Sequence, residues 1–563
     1  MIYILRENML SINQFHDLVK RTHYKQCLME SVKRRALKLN DMKNLEKKNY
    51  PFEDCFYALR RAKSMDVFFN MLLHNKQYLQ NEHQEQIYRT TFLEQLRFCM
   101  DKLSDVELKT IGLGVLEKNI YYNFYVGYNN LNNKEMLETL VSFYKKLCGC
   151  EQCARIGNDR VLCKQHPRRK KDGRFVLDGV RSSGSGVAGS RKVKLGIVCN
   201  QLFNTRKPVF RDRNEVVKHL DNTCFDVSIV STETVNTIYP NARLLTCSKE
   251  NVVDVVMAQK YDIIFYPEVG MDFFTLKCAM HRCAPVQVVT WGHSETTGMH
   301  TIDYYISSEY FNKESDFVYF TEKLVRMKSL GTYYNPMESL IEDENVESIC
   351  AKYKINRSMH IYNCTQVPAK TVRYEYITMV KQLLQRDPKG VLLMIYMTQP
   401  QQVFFKNVFK KYRSRVRLYS YLRREEYQKL VSISHILIDP YPFGSLNTTL
   451  DSFRFGKVIL ALPSLKINGN FCSGFYKKMG VTELVCSSVD EYISKAIRLT
   501  SDESYRVGLE KEVQEKMSAL FHEKESLHEY NAFFRGLCVT KGWAGSNADN
   551  GGVVNGANTY ATI

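Results

Sequence analysis

The sequence predicts an α/β protein in which an all-α domain precedes two doubly wound domains. From Val193 onward, short apolar runs alternate with helical stretches, as in parallel sheets covered by helices on both faces. Ahead of them no proline falls between Pro51 and Pro167, and apolar residues recur at three- and four-residue spacing. The 563 residues leave room for about three or four domains of roughly 100–200 residues each.

Residues 1–146 form the expected all-α domain. Its helices are read in YALRRAKSMDVFFNMLLHNKQYL, QIYRTTFLEQLRFCMDKL and NKEMLETLVSFYKKL. No 34-residue repeat is clear, so a tetratricopeptide array is unsupported. Residues 147–192 change character: a cysteine cluster, the basic run Arg168, Arg169, Lys170, Lys171, and the linker-like SSGSGVAGS. Cys150-x2-Cys153 followed by Cys163-x2-His166 supplies four ligands suited to a structural, tetrahedral zinc. Only one CxxC is present and Cys148 intrudes, so plain thiols are the other reading.

The first doubly wound domain is expected over 193–340, with buried strands in VKLGIVCN, FDVSIVST, YDIIFYP and VQVVTWG. A break around GTYYNPMESLIEDENVES leads to the second, over 341–540. Its strands are read in MHIYNCT, GVLLMIYM, RVRLYSY, HILIDPY and KVILALP, with helices such as YEYITMVKQLLQR and REEYQKLVSIS between them. The glycine- and asparagine-rich tail, 541–563, has no periodicity and is expected to be disordered.

A 44% hydrophobic content supports a sizeable core and excludes wholesale disorder. No run of about 18 apolar residues occurs, so no membrane span is expected. Arg6 and Glu7 fall where a secretory signal needs an apolar stretch, so a cytoplasmic protein with mostly reduced cysteines is expected. Lys and Arg outnumber Asp and Glu by 79 to 60, a net charge of +19. That balance attracts polyanions in general, and a solvated basic surface explains it equally well.

The most informative stretch is IDPYPFGSLNTTLDSFRFGKVILALPS, residues 438–464. A buried strand ends at Asp439, and a turn with Pro442 and Gly444 follows. Ser445, Asn447 and Thr448 then offer N-cap side chains to a helix running through Leu450 and Phe453. A helix start aimed into a crevice suits a pyrophosphate. Asp451, one turn beyond Asn447, repels phosphate but accepts hydrogen bonds from ribose hydroxyls. An ordinary capped helix is the alternative.

Asn447-Thr448-Thr449-Leu450-Asp451, preceded by Pro-Tyr-Pro-Phe-Gly, closely resembles the nucleotide-sugar site of cytoplasmic bacterial N-glucosyltransferases of high-molecular-weight adhesins. Those enzymes share a family with protein O-GlcNAc transferase, whose version has His-Thr-Thr here. Residues 284–309 resemble a second family segment through Ala284, Pro285, Gln287, Gly292, His293, Thr296, Thr297 and Asp303. The resemblance covers about residues 193–535.

It implies a GT-B type fold, two Rossmann-like domains after an all-α domain, and an inverting protein glycosyltransferase. The donor would be a UDP-sugar, UDP-glucose first, and the acceptor an asparagine of a polypeptide. It places the UDP on Asn447 and Asp451, with Thr448 and Ser445 at the helix start. Lys370, in YNCTQVPAKTVRYEYI, takes the diphosphate-contacting position, with Gln366 beside it. Tyr427 is carried to a position near the nucleotide, and Tyr419 and Tyr421 are candidates for the uracil pocket. His293 is a candidate for contacting the reacting groups.

The sequence has no Asp-x-Asp pair, which fits the metal-independent chemistry the resemblance implies. One departure stands out. The family's histidine in the loop after the first strand is missing from VCNQLFNTRKPVFRDRN, where Asn204, Arg206 or Arg211 takes its place. Three alternatives therefore stand beside N-glucosylation: an enzyme transferring GlcNAc to Ser or Thr, a catalytically weakened UDP-sugar- or protein-binding scaffold, and, ranked last, a nucleic-acid binder.

Overall fold

The computed structural model describes Arg60 and residues 82–112, 114–118, 125–148, 191–336, 345–356 and 358–543. The cysteine cluster beyond Cys148, the Gly/Ser stretch and residues 544–563 lie outside the described residues.

In the N-terminal region, α1 (Glu82–Lys102), α2 (Asp105–Ile111) and α3 (Lys134–Cys148) pack on one another. The three- and four-residue spacing puts Met136, Leu137, Leu140, Val141, Tyr144 and Leu147 of α3 inside. A capping box between Ser104 and Glu107 satisfies the first turn of α2.

A seven-stranded sheet follows: β1 (Val193–Val198), β2 (Phe225–Ser231), β3 (Arg243–Thr246), β4 (Ile263–Tyr266), β5 (Val286–Thr290), β6 (Tyr304–Ser308) and β7 (Lys323–Met327). The order is β3-β2-β1-β4-β5-β6-β7, and every pair is parallel. Among its connecting helices are α4 (Pro208–Lys218), α5 (Val252–Gln259) and α6 (Phe273–Ala279). The four strands expected here are β1, β2, β4 and β5. Three further strands were not anticipated. β3 and β7 are edges whose Arg243, Lys323 and Arg326 break up the apolar run. β6 (YYISS) is too polar to read as one.

A five-stranded parallel sheet comes next: β8 (His360–Cys364), β9 (Gly390–Ile395), β10 (Val416–Tyr419), β11 (Ile436–Ile438) and β12 (Ile459–Leu460), in the order β10-β9-β8-β11-β12. All five match the apolar runs read from the sequence. The helices around it are α7 (Pro368–Thr371), α8 (Tyr374–Arg386), α9 (Gln399–Val408), α10 (Arg424–Ser432), α11 (Asn447–Arg454), α12 (Phe471–Met479), α13 (Val489–Ser501) and α14 (Glu503–Lys516).

The last helix among the described residues, α15 (Lys524–Thr540), returns to the first sheet. Its Phe534 ring lies 5.6 Å from that of Phe265 on β4, and Tyr530 lies 5.9 Å from the same ring. Burying each such aromatic contributes about 1.5–3 kcal/mol, which ties the chain's end to its middle.

The strand orders fix where a ligand belongs. Order reverses between β1 and β4 in the first sheet and between β8 and β11 in the second. A crevice opens beyond the carboxyl ends of strands at such reversals. Beyond β8 comes the stretch to Lys370, and beyond β11 the stretch from Asp439 to Asn447. Beyond β1 comes the loop leading to α4.

Candidate active site

At the end of β11 the buried Asp439 organises the turn. Its Oδ1 accepts from both the backbone N–H and the hydroxyl of Ser445, each at 2.7 Å. The turn between them is drawn so tight that a Cβ on Gly444 would lie 2.6 Å from Asp439 Oδ2, so only glycine fits. Burial raises the Asp439 pKa to about 7, against the lowering effects of Ser445 and Lys370.

Lys370 reaches this turn from α7. Its Nζ donates to the Gly444 carbonyl at 2.5 Å and sits 4.7 Å from the centre of the Phe443 ring. Burial pushes its pKa down to about 8, opposed by the Asp439 carboxylate. Gln366, also buried, lies in the same β8–α7 connection.

The expected N-cap is not there. Leu446 occupies the cap of α11, and no side chain caps the helix. Ser445 is diverted because Asp439 and the Thr449 hydroxyl, 2.8 Å away, hold its side chain inside. Asn447 Nδ2 turns instead to Asp212 Oδ1 on α4, at 3.4 Å. Thr448 is half-buried beside it. The first N–H groups of α11 thus lack a side-chain acceptor, the arrangement that receives an anion.

One turn on, Asp451 meets the first sheet. Its Oδ1 lies 2.9 Å from Arg211 Nη2 on α4. Burial raises the Asp451 pKa, with Arg211 and Arg424 acting the other way. Of the three stand-ins for the missing histidine, Asn204 and Arg206 are exposed, and Arg211 is the one that reaches the cleft. Arg213, fully buried, anchors α4. Its guanidinium lies 3.9 Å from the Trp291 ring centre and donates to the Gly331 carbonyl and the Thr290 hydroxyl, both at 3.0 Å.

Two buried polar atoms here, Asn447 Oδ1 and the Tyr427 hydroxyl of α10, have no hydrogen-bond partner among the described residues, and the Arg211–Asp451 ion pair lies beside them. Burial, with Asp451 nearby, holds the Tyr427 phenol well above its usual range. Each unsatisfied buried group costs about 1–3 kcal/mol, so two beside a buried ion pair mark a surface built for a polar ligand.

The remaining candidates fall elsewhere. Tyr419 donates to the Tyr353 carbonyl at 3.4 Å, and its ring packs edge-on to Tyr353. Those contacts belong to a satellite core around Ile349 and Cys350, not to the Asn447–Asp451 cluster. Tyr421 is exposed. His293, buried in the loop after β5, packs on Gly270, where an added Cβ would lie 2.8 Å from its Cδ2. Gln287, Thr296, Thr297 and Asp303 brace that region. Gln287 bonds the carbonyls of His281 and Thr301, Asp303 pairs with Arg282, and both threonines bond Glu322.

Cys150, Cys153, Cys163 and His166 lie outside the described residues. Among the described residues no group of three or more His, Cys, Asp or Glu side chains is arranged to hold a metal ion. Nor is any described helix long and apolar enough to cross a membrane.

Asp439, Asp212 and Phe443 belong to this site and were not singled out from the sequence. The signal for Asp212 lay in the Arg-Asp-Arg run of VFRDRN, and that for Asp439 in a carboxylate closing a buried strand before a Pro-rich turn.

The fold is of the two-domain GT-B type. No family model matches the chain. Over 261 residues it is 23% identical to a UDP-glucose:protein N-beta-glucosyltransferase of Actinobacillus pleuropneumoniae, covering 45% of this chain and 40% of that protein. Over 297 residues it is 23% identical to a probable UDP-N-acetylglucosamine–peptide N-acetylglucosaminyltransferase SPINDLY of Petunia hybrida, covering 48% of this chain and 29% of that one. The chain thus spans less than half the length of the curated relatives it matches. In fold it is similar to a solved O-GlcNAc transferase variant of Thermobaculum terrenum. The TM-score is 0.57 at 16% identity, covering 94% of this chain and 100% of that one. The chain is a relative of these protein glycosyltransferases, as the Asn447–Asp451 motif suggested.

Proposed function

We propose that this protein is an inverting, metal-independent glycosyltransferase that moves a hexose, glucose in the first instance, from a UDP-sugar to an asparagine of a polypeptide. The observation that carries this reading is the uncapped start of α11, flanked by Lys370, by the unpartnered atoms of Asn447 and Tyr427, and by the Arg211–Asp451 pair.

In this reading the donor diphosphate lies at the N–H groups of α11, with Lys370 beside it. Asn447 and Asp451 take the polar groups of the nucleoside. When the acceptor nitrogen attacks the anomeric carbon, the bond to UDP breaks, the nitrogen gives up one proton to the departing diphosphate or to water, and negative charge grows on the departing phosphate. The helix start and the Lys370 ammonium are already aimed at that charge, so little reorganisation is needed in the transition state. An amide nitrogen is a weak nucleophile, so the cleft must hold it close to the sugar. His293, on the first-sheet side, is our candidate for contact with the reacting groups.

A second reading, transfer of GlcNAc to Ser or Thr, is favoured by the SPINDLY relatives. Asn447 in place of the histidine of the O-GlcNAc transferase motif supports glucose and asparagine. The acceptor polypeptide is the proposed partner, in the cytoplasm and without nucleic acid. Cys150, Cys153, Cys163 and His166 remain a proposed structural zinc site.

Mass spectrometry of acceptor peptides incubated with UDP-glucose or UDP-GlcNAc, in chelator, tests the reading. We expect a hexose on asparagine from UDP-glucose, lost in Lys370→Ala. GlcNAc on Ser or Thr would select the second reading. Zinc in the purified protein that disappears in Cys153→Ser would establish the metal.

A further inference from the structure

We infer that the N-terminal helical region is part of the donor site: its loop 125–133 clamps the Phe443 turn, and Tyr128 is a positioning residue that acts on Lys370 through the Phe443 ring. This inference rests on the donor reading above.

The geometry is a chain of contacts. The Tyr128 ring stacks on that of Phe443, with centroids 4.2 Å apart and planes 17° from parallel. The same Phe443 ring lies 4.7 Å from Lys370 Nζ, and the next carbonyl, Gly444, accepts from that ammonium. Tyr128 is buried, so the stack is shielded from water. Two residues on, Asn130 grips the turn from the other end. Its Nδ2 donates to the Tyr441 hydroxyl at 3.2 Å, and its Oδ1 accepts from Leu465 N–H at 2.8 Å.

The loop is itself fixed to both sheets. The Gly127 carbonyl accepts from Lys466 and Asn468 of the second sheet's loop. Lys466 pairs with Glu295 of the first at 2.6 Å, both side chains 3% exposed, and Asn133 Nδ2 donates to the same Glu295 at 2.8 Å. Arg373, three residues after Lys370, pairs with Glu85 of α1 at 3.2 Å.

These contacts fall on the turn that supports the lysine, so they do more than hold a bundle against a sheet. An aromatic ring beside an ammonium attracts it and also excludes water from it. With Tyr128 gone, Phe443 has room to swing and Lys370 gains water. The lysine should then be less well aimed, with its titration moving up from near 8 toward that of an ordinary lysine.

The test is calorimetric titration of UDP into the full chain across pH for wild type, Tyr128→Leu, Tyr128→Phe and Asn130→Ala, with thermal melts alongside. We expect Tyr128→Leu to bind UDP about 3- to 10-fold more weakly, the range an aromatic pair supplies, with its pH midpoint shifted up. Tyr128→Phe keeps the stack and should restore both. If Tyr128→Leu does not fold, Asn130→Ala, at a half-buried position, carries the test. Folded Tyr128→Leu or Asn130→Ala whose affinity and midpoint match wild type overturns the inference while leaving the donor reading intact. A wild type that binds no UDP overturns both.

Discussion

Arg211 and Asp451 face each other from opposite sheets, 2.9 Å apart, with side chains 18% and 8% exposed. The pair joins the helix after β1 to the helix after β11, across the crevice where a donor belongs. Removing Arg211 leaves a buried carboxylate without its cation. Arg211→Ala should therefore cost about 1–3 kcal/mol of stability in denaturant unfolding. Asp451→Asn should cost less, and the double variant less than the sum of the two. Strict additivity would mean that the pair does not couple the sheets.

The lowered Lys370 pKa gives donor binding a pH dependence with a definite sign. Below about 8 the side chain is charged and attracts the diphosphate. As pH rises through about 8 the proton is lost and the attraction with it. UDP affinity should begin to fall as Asp439 beside the lysine ionises at about 7 and fall further above about 8, by up to about tenfold per unit for the lysine. Lys370→Ala should bind weakly at every pH, and Lys370→Arg should remove the upper limb. Calorimetry between pH 6 and about 9.5 reads all three.

Glu268 makes a prediction about stability alone. Full burial, with Asp272 adding to it, raises its pKa to about 8. Between its ordinary value of 4.5 and about 8 the folded chain holds a proton that the unfolded chain has released. Stability from this group is therefore present at the acid end and lost as pH rises through about 8. Glu268→Gln should flatten that part of the Tm–pH curve. An unchanged slope would contradict the assignment.

The Asp439–Ser445 clasp holds the turn. Ser445→Ala removes a hydroxyl donor from a buried carboxylate and should cost about 1–3 kcal/mol. Gly444→Ala places a methyl group 2.6 Å from Asp439 Oδ2 and should disrupt the turn. UDP affinity should fall in both. Tyr419→Phe, at a hydroxyl committed to Tyr353, should leave UDP affinity unchanged.

How much of this was legible depended on whether the signal was local. β1, β2, β4, β5 and four of the five strands of the second sheet are buried on both faces and stand out as apolar runs, while the half-buried edge strand β10 was still readable in RVRLYSY. The edge strands β3 and β7 carry Arg243, Lys323 and Arg326 and read as loop. Lys370, Asn447 and Asp451 could be proposed because each sits on a short motif at a strand end. Asp439 was not, because its role depends on Ser445 folding back six residues later. Asp212 was not, because its partner Asn447 lies 235 residues away and only the packing of the two sheets brings them together. Ser445 was misread as a cap for the same reason. The sequence shows a hydroxyl before a helix, while the fold gives that hydroxyl to a carboxylate. Tyr419 ends a strand at the mouth of the crevice, and its turn toward Tyr353 follows from edge packing that no local pattern records.

The central claim is that UDP binds at the start of α11 between the two sheets. Titration of UDP into wild type, Lys370→Ala and Asn447→Ala, each checked by thermal melting, tests it most directly. The account predicts one saturable site in wild type and at least about tenfold weaker binding in each variant with the fold retained. Wild type that fails to bind, or variants that bind as wild type does, would contradict it.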